Sequence, residues 1–94
     1  MTFSSISNWE TTDWTDEMEA MAREVFQPLI INAGAKRVQM IRTGEHSFSV
    51  VTEYADEAAA DAAQEKIAQI REKAATELPM TMKDMVRGAV FAAS

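Results

Sequence analysis

The apolar residues of this chain change their spacing five times, and that order of changes constrains the fold more tightly than any single motif. Residues 2–10, TFSSISNWE, alternate. Phe3, Ser5, Ser7 and Trp9 fall on one face and Ser4, Ile6 and Asn8 on the other, the period of two that marks a strand. From Trp14 the spacing switches to threes and fours. Trp14, Met18, Met21, Val25 and Leu29, flanked by Ala22, Phe26, Ile30 and Ala33, make the wide stripe of a packed helix running to about residue 32. Thr12, Asp13 and Thr15 are candidate caps for its free N–H groups, and Asp16 and Glu17 suit its positive end. Pro28 predicts a kink or an early end, and Gly34 a C-terminal stop.

Strand spacing returns from Lys36 to Tyr54, where KRVQMIRT and HSFSVVTEY flank Gly44-Glu45. A type II′ turn on those two residues pairs Ile41 with Phe48 and Val38 with Val51. A three-residue loop, Thr43 to Glu45, pairs Met40 with Phe48 and Val38 with Val50 instead. Asp56 then caps a second helix through about Leu78, with Ala59, Ala63, Ile67, Ile70, Ala74 and Leu78 as a narrow inner stripe. Pro79 ends it. MTMKDM reads as a connector, and VRGAVFAA as the last strand, with Gly88 a candidate bulge.

The order β-α-β-β-α-β, with a hairpin in the middle and two crossover helices, predicts an α+β ferredoxin-like plait. Its sheet has four antiparallel strands, with the first and third at the centre and both helices on one face. Ninety-four residues make one domain, 1–94. The other sheet face keeps apolar residues that need cover, and a second copy related by two-fold symmetry supplies it most simply.

Composition narrows the partners. Fifteen Asp+Glu against nine Lys+Arg leave a net charge of −6, the reverse of a nucleic-acid-binding footprint and repulsive to anionic lipid. The longest uncharged stretch, VFQPLIINAGA, falls short of the about 20 residues a membrane span needs. MTFSSISNWE lacks the basic start and apolar run of a signal peptide, so a soluble cytoplasmic protein is expected, with neither nucleic acid nor membrane as partner. One histidine and no cysteine exclude ordinary structural zinc, and no metal or cofactor is expected.

In element order, in length, and in the helix-capping YADEAAADAA after the third strand, the chain resembles the dimeric α+β barrel superfamily, which includes the antibiotic-biosynthesis-monooxygenase-like proteins. The resemblance implies a homodimer whose sheets close a barrel around a small organic, often aromatic, ligand. It also implies a reaction such as cofactor-independent oxidation in some members and none known in others. Asn8 is similar to the first-strand asparagine of haem-degrading members, but their tryptophan has no counterpart on the second helix and His46 sits in the hairpin.

Four side chains are candidates for chemistry. Arg87, with Met85, Ala89 and Phe91 on its face, would bind a carboxylate or stabilise a phenolate if that face lines the cavity, and would snorkel if it faces the helices. His46 is the chain's one imidazole, the side-chain type suited to general acid–base work, and faces Arg42 or Thr43 according to the register; otherwise it is an exposed hairpin-end residue. Asn8 either hydrogen-bonds a ligand or satisfies nearby strand groups. Tyr54 either donates a proton or ends its strand. Trp9 and Trp14 could stack on a planar ligand or pack in the core, and Met80, Met82 and Met85 could form a pliable lid or fill gaps. Two functions compete: a dimeric barrel protein binding a small organic molecule, with monooxygenase-like chemistry, and a non-catalytic dimeric binding or structural module. A polar–apolar cavity holding Arg87 or His46 favours the first, and a barrel plugged by Phe48, Val50, Phe91 and the methionines the second.

Overall fold

A computed structural model describes residues 2–94. Strand β1 (Phe3–Thr11) leads into helix α1 (Asp16–Met21), a π-helical turn (Ala22–Phe26) and helix α2 (Gln27–Asn32), which form one continuous helical run. The hairpin β2 (Arg37–Gly44) and β3 (Ser47–Tyr54) follows, then helix α3 (Glu57–Glu77) and strand β4 (Met80–Ala89). The sheet is antiparallel in the order β2-β3-β1-β4, which puts the first and third strands at the centre. This is the expected ferredoxin-like α+β plait.

Local chemistry sets the helix ends. The Thr15 side chain accepts from the Met18 N–H at 3.2 Å, and that of Asp56 from the Ala59 N–H at 2.8 Å, each capping a first turn. Leu78, forced out of the helical region by Pro79, is extended at φ −124° and ψ 152°. Gly34 stops the first helical run at φ +125°, a backbone conformation that L side chains rarely adopt. A Cβ there would meet that of Ala63 at 3.7 Å, an ordinary contact, so the cost of a side chain is backbone strain. Gly34→Ala is therefore expected to lower folding stability by about 1–3 kcal/mol in thermal denaturation.

Of the two outcomes expected at Pro28, a kink or an early end, the early end does not occur, and the helical run continues to Asn32. The proline's missing N–H and its ring disturb the turn before it, which widens so that the Gln27 N–H reaches back five residues to the Ala22 carbonyl. The wide turn carries the inner stripe along steps of four: Met18, Phe26 and Ile30 are buried, while Val25 and Ile31 turn outward.

The hairpin takes neither expected register. Arg42 pairs with Phe48, Met40 with Val50 and Val38 with Thr52, and Glu45-His46 form the turn closed by Gly44 and Ser47. A register shift between Arg42 and Gly44 absorbs the odd residue, which keeps Val38, Met40, Phe48 and Val50 on the helix side. The last strand also differs. It begins at Met80, so the presumed connector MTMKDM is strand, and residues 90–94 lie beyond it. The irregularity in this pairing falls between Asn8 and Trp9 opposite Lys83, not at Gly88.

Odd residues of β1 face the helices and even residues the open side. Phe3, Trp9, Val50, Tyr54, Ile30, Ala60, Ala63 and Ile67 form the core between sheet and helices. On the open face a row of Val51, Ile6 and Val86 crosses the three strands β3, β1 and β4. Beside it runs a row of Ile41, Ser49, Asn8 and Asp84. No helix is long and apolar enough to cross a membrane among the described residues.

Candidate functional site

Two adjoining spaces lie between the sheet and the helices, not on the open face where a barrel interior would form. The outer one is a cleft of about 520 Å³ between α1, the π turn and the β2–β3 hairpin. The alternation of β2 and β3 brings Met40, Arg42 and Phe48 to this side, and the helical run supplies Trp14, Met18 and Arg23. Aromatic rings step through it. Trp9 lies 6.0 Å from Phe48 with planes 9° apart, and Phe48 meets Trp14 edge-on at 5.9 Å. The Arg42 guanidinium sits 4.2 Å over the Trp14 ring and donates to the turn carbonyls of Gly44 and Glu45 at 3.1 and 2.9 Å. Trp14 Nε1 donates to Glu19 at 2.7 Å, and Glu19 also faces Arg23 at 3.9 Å.

The inner space is a chamber of about 70 Å³ beneath α3. It shares Ala22, Met40, Phe48 and Met80 with the cleft, so the two adjoin. Its walls are mostly apolar, with Ser7, Thr52 and Arg71 as the hydroxyl and charged groups. Trp9 Nε1 donates to Ser7 Oγ at 2.9 Å, which leaves that hydroxyl its own proton to donate.

The four candidates are not brought together. His46 stands exposed in the hairpin turn, and only its backbone carbonyl is engaged, by the Thr11 N–H at 2.9 Å. Asn8 faces the open side, donating to Asp84 at 2.7 Å and accepting from Ser49 at 2.6 Å. Arg87 faces the helices: its guanidinium lies 5.0 Å over the Phe3 ring and pairs with Asp61 of α3. Its place among apolar groups is thus the snorkelling one, with a carboxylate already in hand. Tyr54, on the same side, is 3% exposed, and burial raises its phenol pKa against the opposing pull of Arg71 and Arg87. Of the four, only Tyr54 and Arg87 share an environment. None lines the cleft or the chamber.

Sequence reasoning missed Arg42 as a wall of the cleft and Arg71 as a wall of the chamber. A signal for Arg71 was present: it falls four residues after Ile67 and three before Ala74, the spacing of the inner stripe. No group of three or more His, Cys, Asp or Glu able to hold a metal occurs among the described residues.

No protein-family model matches the chain, and no curated protein matches its sequence. Solved structures do match. HapK from Hahella chejuensis aligns over 98% of this chain and 95% of its own, with TM-score 0.75 and 15% identity. A dimeric ferredoxin-like protein from an uncultured marine organism aligns over 100% and 98%, with TM-score 0.69 and 18% identity. The shared architecture is the ferredoxin-like α+β fold. SnoaB from Streptomyces nogalater, a cofactor-independent oxygenase, aligns over 98% and 95%, with TM-score 0.73 and 12% identity. At these identities the likeness to all three structures is one of fold.

Proposed function

We propose that the chain is a homodimer that binds a planar aromatic molecule in the helix-side cleft of each protomer. The observation that carries this is the cleft itself. Its volume suits a small organic ligand, and its walls combine Trp14 and Phe48 for stacking with Arg42 and Arg23 as cations. The dimer is supported by the apolar row on the open face and by dimeric neighbours of the same fold.

A second reading adds chemistry. SnoaB, of the same fold, is a cofactor-independent oxygenase, and by that analogy the reading is a cofactor-independent monooxygenase-like reaction on a substrate activated by deprotonation. Such a reaction needs a base, and Tyr54, Arg87, His46 and Asn8 all lie outside the cleft lining. Glu19, the one carboxylate among the lining residues, is held by Trp14 and Arg23. That engagement favours binding without chemistry over catalysis.

Calorimetric titration with 1,8-dihydroxyanthraquinone tests the cleft. Saturable binding is expected in the micromolar range, weakened about tenfold by Trp14→Ala through loss of the ring contact. Absence of saturable binding, or an unchanged affinity in the variant, would overturn the assignment.

A further inference from the structure

Arg71 is the one cation of α3 that points inward. The ion pairs among the described residues are Arg23–Glu19, Lys73–Glu77, Lys83–Glu10 and Arg87–Asp61, and Arg71 takes part in none. Lys36, Arg37, Arg42 and Lys66 take part in none either, but they stand exposed, where water solvates the charge at no cost. Arg71 is half-buried under its own helix and lines the inner chamber with Ser7 and Thr52. Burial draws its pKa below the usual value, offset in part by the Tyr54 phenol. A desolvated guanidinium facing an otherwise apolar space is an arrangement that an incoming anion improves.

The space has the size of such an anion's head. At roughly 10–15 Å³ per water by the same measure, a chamber of about 70 Å³ holds about five waters, which is room for one carboxylate. Ala22, Met40, Phe48 and Met80 are the wall it shares with the cleft, and two of these are flexible thioethers that can swing aside to admit a ligand. The cleft beyond has the rings.

Resting on the binding assignment made above, we propose that the ligand is an aromatic carboxylic acid. Its carboxylate enters the inner chamber and pairs with Arg71, the Ser7 and Thr52 hydroxyls donate to the remaining oxygen lone pairs, and its rings lie in the cleft against Phe48 and Trp14. The polar contacts at the chamber's end set the direction in which the ligand enters. They also reject neutral analogues, which would leave the guanidinium without a partner.

Matched probes separate this from simple aromatic binding: anthraquinone-2-carboxylate and anthraquinone-2-carboxamide, titrated calorimetrically against the wild-type chain, Arg71→Met, Arg71→Lys and Lys66→Met. The wild type is expected to bind the carboxylate at least tenfold more tightly than the amide. Arg71→Met erases that preference while holding the amide within about twofold, and Arg71→Lys keeps part of it. Lys66→Met removes an equal charge from the exposed face of the same helix and leaves the preference intact. Equal affinity of the wild type for both probes overturns the carboxylate assignment and leaves the cleft standing, a result that needs no variant to fold. Loss of the preference in Lys66→Met to the same extent overturns it too, since net charge would then be the cause. If neither probe binds the wild type, the cleft assignment falls with it.

Discussion

Trp9→Ala is expected to cost about 3–5 kcal/mol of folding free energy, the range for deleting a large buried aromatic side chain. Trp9 is 5% exposed, lies in a stacked arrangement with Phe48 and spends its one N–H on Ser7. It sits on a central strand, where neighbours on both sides limit how far the sheet can close over the space left behind. A chain of 94 residues has about 5–14 kcal/mol of stability in all, so this single change removes a large share of it. Urea denaturation followed by circular dichroism reads the effect as a fall in the midpoint at nearly constant slope. Trp9→Phe keeps most of the apolar area and should lose much less. A cost below about 1 kcal/mol for the alanine variant would mean that the chamber wall is not packed as described.

Val86→Asp is expected to turn the dimer into a monomer. Val86 is 61% exposed on the open face, at the end of the row it forms with Ile6 and Val51. In a two-fold dimer each substitution occurs twice. Two buried valines contribute about 3–6 kcal/mol, and two unpaired carboxylates add a desolvation cost. The dimer dissociation constant should therefore rise at least a hundredfold. Sedimentation equilibrium over a range of concentrations measures it. The helix-side core does not touch Val86, so the circular dichroism spectrum should keep its shape. A wild-type chain that sediments as a monomer at high micromolar concentration would remove the dimer from the account.

The architecture was legible because it rests on period alone. Alternation in residues 3–9 and 48–54, the caps Thr15 and Asp56, the stop at Gly34 and the break at Pro79 are local signals, and each sits where its chemistry requires. What was not legible depends on contacts between distant segments. Keeping Met40 and Val50 under the helices rules out the type II′ register only; the irregularity beside Thr43 completes the observed one, and the turn residues alone do not announce it. Lys83 and Asp84 concealed a strand because an edge strand with one open face tolerates charge along its length. Pro28 announced a disturbance, but whether the helix would break or widen depended on how firmly Phe26 and Ile30 are held below it.

The site was harder still. Arg87, His46, Asn8 and Tyr54 drew attention by residue type, yet the fold sends them to an ion pair, a turn, the opposite sheet face and a buried strand end. Trp14 and Arg42 are 28 positions apart in sequence and meet as cation over ring, a pairing that no local pattern announces.

Strict alternation along β1 has an evolutionary consequence. Ser5, Ser7 and Trp9 belong to the helix side, and Ser4, Ile6 and Asn8 to the outward side, and no position serves both. A lineage can therefore exchange residues at odd positions and reshape the helix-side spaces while the outward face is inherited unchanged. It can equally revise the even positions and change what that face meets without disturbing the helix-side spaces. One strand at the centre of the sheet carries two independently variable characters, interleaved residue by residue.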